Sequence, residues 1–335
     1  MIASMSVRDL IIIGAGPSGL AAAIAASQAG LDYIVVEKGL LANSIFHFPP
    51  QMTFFTTPDL LEIGGLPFVT PYEKPTRHEA LRYYRRVVER FDLQIAFGVT
   101  VDRVTPVGEG ASRVFELVTT SRLGASETLR ARNVVLAIGY YDQPNRLGIP
   151  GEDLPHVAHY YGEPHQYYHQ KVLIVGGKNS AAIAALELFR GGAQVTLVHR
   201  RATLSDRIKY WIRPDIDNRI KEGSIPAYFK ARVLEITPTQ AVVETGTGEH
   251  VTVEADSVLL LTGYHPDFRL MTQAGVRLDE RSAPVHDPAT LETSVPGLFV
   301  AGGLLGGLDT GTIFIENGRF HGEQIVKTIL AARPQ

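Results

Sequence analysis

One pattern occurs twice in this 335-residue chain, and it restricts the fold more than any other feature. Leu10-Ile-Ile-Ile-Gly14-Ala15-Gly16-Pro17-Ser18-Gly19 is matched 162 residues later by Val172-Leu-Ile-Val-Gly176-Gly177-Lys178-Asn179-Ser180-Ala181. At equal offsets Gly30 falls opposite Gly192, and Glu37 falls opposite His199. Each copy runs from an apolar stretch through a glycine turn into an alanine-rich segment of helical length, then a glycine and a second apolar stretch. That order is a βαβ dinucleotide-binding unit, in which a pyrophosphate rests on the unpaired N–H groups at the helix N-terminus. A lone glycine pattern is weak evidence. Two copies in matching context are strong.

The copies end differently. The residue at the tip of the second strand faces the adenosine ribose. A carboxylate there accepts from free ribose hydroxyls and repels a 2′-phosphate, so Glu37, followed by Lys38, suits FAD or NAD. His199-Arg200-Arg201 closes the second copy, and planar guanidinium donors match phosphate geometry, which suits NADPH. Gly14, Gly16, Pro17, Ser18 and Gly19 form the first turn, and Gly176, Gly177, Lys178, Asn179 and Ser180 the second. Lys178 stands where the pattern expects a second functional glycine. Two readings stay open: a solvated lysine on a wider turn, or an ammonium beside the phosphates.

The chain contains no cysteine. That excludes a disulfide framework, a thiolate nucleophile, an iron–sulfur cluster and a cysteine zinc site, and no other metal site is expected. Any disulfide chemistry must use the substrate's own sulfurs. A net charge of −3 gives no electrostatic footprint for nucleic acid. The apolar run from Leu10 to Ala26 imitates a signal peptide, but its glycines and Pro17 are what the βαβ reading requires, and the flanking Arg8-Asp9 is not a basic run. A cytoplasmic protein that contacts no membrane is expected.

The remaining pattern predicts an α/β protein of two Rossmann-like, three-layer domains, one inserted in the other. Phe46 to Pro58 is aromatic and proline-rich, hence a loop. Leu81, Tyr84, Val87, Val88 and Phe91 have helical period from Thr76 to Phe91, and Thr76 with Glu79 has capping-box spacing. Strands are expected near Ala96–Val104, Val114–Thr119 and Glu127–Ala131, as a meander. Asn133 to Gly139 and Leu259 to Gly263 are buried strands running into glycine, each followed by turn residues suited to a hinge. The expected boundaries are an FAD domain at 1–142 and 267–335, and an NADPH domain at 143–266. Pro296 to Gly303 is a further strand-to-glycine turn, with a helix expected from Phe314 to Ala332.

These motifs resemble the thioredoxin-reductase-like flavoproteins and, within them, the bacillithiol disulfide reductase family. The resemblance spans nearly the whole chain. It rests on Thr53-Phe54-Phe55, Gly139-Tyr140-Tyr141-Asp142, Ile149-Pro150-Gly151-Glu152-Asp153-Leu154-Pro155, Gly176 to Ser180, Lys209-Tyr210-Trp211-Ile212, Thr262 to Asp267, and Phe314 to Gly322. It implies FAD and NADPH as cofactors, a homodimer or homotetramer, and reduction of a small disulfide. The family commonly carries a cysteine where this chain has Ser18, and serine cannot form the mixed disulfide. The resemblance further suggests Asn43, Ser44 and Thr53 at the flavin ring edge, Gly139 and Gly302 at the flavin-side strand ends, and Gly263 at the NADPH-side one. It places Gly303 where relatives often carry an aspartate on the ribityl chain, a contact that Asp309 would remake. Glu316 would start a helix facing the flavin.

The expected chemistry passes hydride from NADPH to the flavin and on to a small disulfide or another electron acceptor. His47 and His321 are candidates for protonating a leaving thiolate, against the alternative that both are structural or surface groups. A diaphorase or ferredoxin/flavodoxin–NADP reductase, and a non-enzymatic NADPH/FAD redox sensor, remain rival readings.

Overall fold

The parallel strands form because their sequences are continuous β-branched and aliphatic runs, which demand cover on both faces. The computed structural model describes residues 7–332. Along the chain, β1 (Val7–Ile13), α1 (Pro17–Gln28) and β2 (Tyr33–Glu37) make the first crossover. The short α2 (Asn43–Phe46) and the longer α3 (Arg77–Phe91) follow. Thr76 Oγ1 accepts from the Glu79 N–H and Glu79 accepts from the Thr76 N–H, so the expected capping box starts α3. Next come β3 (Ile95–Phe97), β4 (Val99–Val107), β5 (Val114–Ser121) and β6 (Ser126–Leu136).

The chain then builds β7 (Val157–Ala158), β8 (Lys171–Val175), α4 (Asn179–Arg190), β9 (Gln194–His199), α5 (Arg213–Lys221) and β10 (Ala227–Phe229). β11 (Arg232–Ile236), β12 (Gln240–Glu244), β13 (His250–Glu254) and β14 (Ser257–Leu260) come next. It ends with α6 (Phe268–Gln273), β15 (Leu298–Val300), α7 (Ile315–Gly318) and α8 (His321–Ala331).

Contacts divide the chain into two units. The first takes the chain up to Gln143 and resumes at Tyr264, and the second is Pro144–Gly263. In the first, the sheet order is β3-β2-β1-β6-β5-β4, with β15 also on β6. β6 pairs antiparallel with β5 over its first half and parallel with β15 over its last three residues, while β1 lies along its other edge. The two strands expected at Glu127–Ala131 and Asn133–Gly139 are therefore one, shared by meander and parallel sheet. The strand expected at Ala96–Val104 is instead divided at Gly98, whose φ of +68° turns the chain between β3 and β4.

Helices cover one face of this sheet, burying Leu20, Ile24, Tyr84 and Ile325 with Leu10, Ile12 and Val35. The meander and α6 cover the other, with Phe115, Leu117 and Met271 against Ile11 and Val134. The second unit repeats the plan in all-parallel order β10-β9-β8-β14-β7, with α4 on one face and the β11-β12-β13 meander on the other. Helix, sheet and meander make the three expected layers in each unit.

The expected single helix from Phe314 is two. Gly318 ends α7 against Ser18 and the Gly302 backbone, and α8 restarts so that Gly322 meets Ala22, where a β-carbon would lie 2.4 Å from the Ala22 nitrogen. Close packing on α1 overrides a helical pattern continuous in sequence.

Candidate dinucleotide sites

In the first unit the turn Gly14–Gly19 is locked by backbone proximity. A β-carbon at Gly14 would fall 2.5 Å from the Ala137 carbonyl oxygen, and one at Gly19 would fall 1.9 Å from that of Gly14. At Gly16, the N-cap of α1, nothing lies within 4 Å of such an atom. The turn is thus closed toward the sheet and open at the helix N-terminus, which is the shape a pyrophosphate requires. Pro17 at the first helical position gives up no needed N–H. Glu37, buried at the tip of β2, accepts from the N–H of Ala15 and of Gly39, each at 2.7 Å. These bonds hold the turn and leave further lone pairs for ribose hydroxyls.

Beyond Glu37 lies an open recess of about 390 Å³, lined by Gly39, Leu40, Leu41, Phe97, Gly98 and Arg122. It lies where the adenine of a nucleotide on Glu37 could go. Phe97, Gly98 and Arg122 carry no motif, since they arrive from β3 and the end of β5, and nothing local in the sequence marks them.

At the far end of this cradle, Ser18 Oγ is half-buried beside Gly302 and Gly318 and makes no hydrogen bond among the described residues. The Gly302 N–H donates to His321 Nδ1 at 3.0 Å. A neutral His321 ring therefore carries its proton on Nε2, and burial, with the nearby His286 charge, holds its pKa below the usual histidine value. Tyr140 lies against Gly303, where a β-carbon would come 2.7 Å from its ring. The space an aspartate would need at Gly303 is filled by Tyr140, a contact that the motif around Tyr140 does not announce. Gly139 adjoins Ser44, in left-handed backbone.

The other first-unit candidates are engaged elsewhere. Lys38 pairs with Asp142. Asn43 Oδ1 accepts from the Leu40 N–H, so its amide oxygen serves its own turn. Thr53 is exposed and forms a β-bridge with Thr76. His47 is exposed, with Nδ1 2.8 Å from the Asn43 carbonyl; Nδ1 must donate there, which leaves Nε2 for proton exchange. The Asp309 backbone closes a turn with Gly306 and Thr312. Glu316 is half-buried in α7, and its charge adds to burial in raising the Tyr84 pKa.

The second unit's cradle has the same plan. A β-carbon at Gly176 would lie 2.7 Å from the Leu261 carbonyl oxygen, and one at Gly177 only 2.3 Å from the His199 ring. Lys178 occupies the N-cap of α4 in the extended conformation that Gly16 has in the other copy. Since the Gly16 position has room for a β-carbon, a side chain there is tolerated, and the Lys178 ammonium is exposed without a partner among the described residues. His199 Nε2 is buried without a hydrogen-bond partner among the described residues, and burial, then the charges of Arg200 and Arg201, hold the His199 pKa low. Both arginines are exposed and form no ion pair among the described residues. An orphaned ring nitrogen beside two unpaired guanidinia is a donor set that fits a phosphate monoester.

Ser180 is exposed, and Asn179 is half-buried. Gly263, with φ +95°, accepts from the Asn145 N–H at 2.9 Å, and Thr262 Oγ1 donates to the Asn145 carbonyl.

A family model described as pyridine nucleotide-disulphide oxidoreductase matches residues 11–302, both cradles included. The chain belongs to that family. This oxidoreductase is 42% identical over 320 residues to bacilliredoxin reductase Bdr of Bacillus subtilis, covering 95% of this chain and 96% of that one. The structure of bacillithiol disulfide reductase Bdr (YpdA) from Bacillus cereus superposes with a TM-score of 0.94 at 42% identity, over 98% of this chain and 100% of that one. The oxidoreductase thus groups with the bacillithiol disulfide reductases. A ferredoxin–NADP reductase of Ignicoccus hospitalis is more distant, 27% identical over 88% of this chain and 89% of that one. As a flavoprotein of this family, the oxidoreductase uses FAD and a pyridine nucleotide. No helix among the described residues is long and apolar enough to cross a membrane.

Proposed function

We propose that this oxidoreductase takes hydride from NADPH, in preference to NADH, and reduces a low-molecular-weight disulfide of the bacillithiol disulfide kind. The observation that carries the coenzyme choice is the opposite chemistry of the two strand tips. Glu37 is a buried acidic residue in the first cradle, with both carboxyl oxygens accepting backbone N–H groups, whereas Arg200 and Arg201 stand exposed in the second with no ion pair among the described residues. FAD belongs to the first cradle and NADPH to the second. The disulfide follows from the 42% identity with proteins whose names state that substrate or its redoxin.

Bound FAD supplies a two-electron store between nicotinamide and disulfide. The overall balance is one hydride from NADPH and one proton, giving two thiols from one disulfide. The chain has no cysteine, so no protein–substrate mixed disulfide forms and Ser18 serves as a hydrogen-bonding hydroxyl. Gly14, Gly16 and Gly19 would hold the flavin nucleotide, Phe97 and Arg122 line a recess that would take its adenine, and Tyr140 packs in the space an aspartate would need at Gly303. Of the two histidines, His47 is the one placed to protonate the leaving thiolate, because its ring is exposed with Nδ1 bonded to the Asn43 carbonyl, whereas protonating His321 Nδ1 breaks its bond from Gly302. A homo-oligomer in the cytoplasm completes the proposal.

Steady-state NADPH oxidation by FAD-loaded protein against bacillithiol disulfide, other small disulfides, quinones, ferricyanide and ferredoxin tests it. Turnover with a disulfide supports the reading. Turnover with ferredoxin alone favours a ferredoxin–NADP reductase, a reading kept because the Ignicoccus relative carries that name and because Ser18 removes the thiol step.

A further inference from the structure

Asn179 opens α4 at a position where the glycine pattern suggests a dinucleotide contact, yet both ends of its amide are engaged within the chain. Nδ2 donates to the Arg207 carbonyl at 3.0 Å, and Oδ1 accepts from the Lys209 N–H at 3.0 Å. Two residues before Arg207, the Ser205 N–H donates to the Gly177 carbonyl at 2.9 Å, and the Arg213 guanidinium reaches the Ser205 carbonyl at 3.4 Å. Segment 205–209 is thereby sewn onto the glycine turn and the first turn of α4. At the other end, the Lys230 N–H donates to the Arg201 carbonyl at 2.9 Å. Arg200 and Arg201, which form no ion pair among the described residues, stand at this second fastening, and residues 202–204 join it to the first. An amide suits such a fastening, since it donates and accepts at once and brings no charge to compete with a phosphate.

We propose that Asn179 is a positioning residue for coenzyme selectivity. By fixing segment 205–209 to the cradle, it holds the Arg200–Arg201 loop where one 2′-phosphate meets both guanidinia. The inference rests on the second unit being the NADPH site and identifies what orders that site's charged loop. A loop already ordered does not have to lose its freedom when ligand arrives, so the loss of the fastening weakens a ligand that uses the loop more than one that does not.

The experiment uses full-length, FAD-loaded Asn179→Ala. Its probes are adenosine 2′,5′-bisphosphate and 5′-AMP in calorimetry, with NADPH and NADH in steady-state kinetics. Bisphosphate affinity should fall by about five- to tenfold, the size of one or two lost hydrogen bonds. The NADPH KM should rise in parallel, while 5′-AMP binding and kcat at saturation change by about twofold or less. Trp211, the only tryptophan, lies two residues beyond Lys209 and is partly exposed, so its emission reads the segment directly; it should become more accessible to acrylamide. If Asn179→Ala does not fold, Asn179→Ser keeps a small polar side chain at the first position of α4 but is too short to span both partners, and should give the same selectivity loss. Equal losses for bisphosphate and 5′-AMP, or undiminished bisphosphate binding with Trp211 released, would overturn the positioning role. Wild-type protein that fails to bind the bisphosphate overturns the NADPH assignment and this inference with it, and that result is read before any variant is made.

Discussion

The His199 ring lies across Gly177, with its Cε1 2.3 Å and its Nδ1 2.4 Å from where a β-carbon at Gly177 would stand. The glycine is present because the imidazole occupies its side-chain space, which ties the tip of β9 to the turn before α4. Gly177→Ala should push the ring outward and carry Arg200 with it. Overpacking of this kind costs about 1–3 kcal/mol. We expect NADPH affinity about tenfold lower or worse, with FAD retention unchanged because the flavin cradle is in the other unit. Calorimetry and the flavin absorbance of the purified variant check both halves.

Arg200→Ala combined with Arg201→Ala removes the two cations assigned to the 2′-phosphate. Charge-assisted bonds are worth about 1.5–3 kcal/mol each and do not add fully, so NADPH should weaken by about 2–4 kcal/mol while NADH barely changes. The ratio of kcat/KM for the two coenzymes measures it. Wild-type protein that uses both equally well contradicts the assignment.

Glu37→Gln tests the flavin cradle. The carboxylate accepts from Ala15 and Gly39 at once, whereas an amide can accept only through its oxygen and turns an N–H group toward the second donor. One bond is kept, and the other is replaced by a repulsive N–H to N–H contact, a penalty of about 2–4 kcal/mol. The protein should emerge from gel filtration with less FAD and a lower thermal midpoint, while adenosine 2′,5′-bisphosphate still binds.

The pH dependence follows from His321. Burial first, and the His286 charge second, hold its pKa below 6.5, so around pH 6 the unfolded chain binds more protons than the folded one. Stability is therefore complete above the unfolded value and is lost as pH falls through 6.5 toward the folded pKa. His159 and His199 are lowered too, mainly by burial, and act in the same direction. Thermal midpoints should drop between pH 7.5 and pH 5.5. His321→Asn, which does not titrate and can still accept from Gly302, should flatten that slope; an unchanged slope would show that His321 contributes nothing to it.

Much of this was legible because it is local. The glycine turns, the strand tips at Glu37 and His199, and the Thr76–Glu79 capping box each lie within one short stretch whose geometry the residue types dictate. Long-range packing was not legible. Nothing around Gly303 announces that Tyr140 fills its space, and nothing around Asn179 announces that Arg207 and Lys209 fold back onto its amide. The same limit explains the break before His321: the helical pattern is continuous there, and only the approach of Gly318 to Ser18 and of Gly322 to Ala22 interrupts it.

The Asn145 N–H donates to the Gly263 carbonyl, and the His265 N–H donates to the Gln143 carbonyl, each at 2.9 Å. Entry and exit of the inserted unit are thus paired strands of chain rather than distant ends. As the polypeptide leaves the ribosome, β6 must wait for β15 until all of Pro144–Gly263 has been made. A unit that folds during this interval brings its own termini together, and the long excursion then behaves as a short turn. The entropy of closing a loop grows with the logarithm of its length, so most of that cost is met inside the insert before the first sheet is finished.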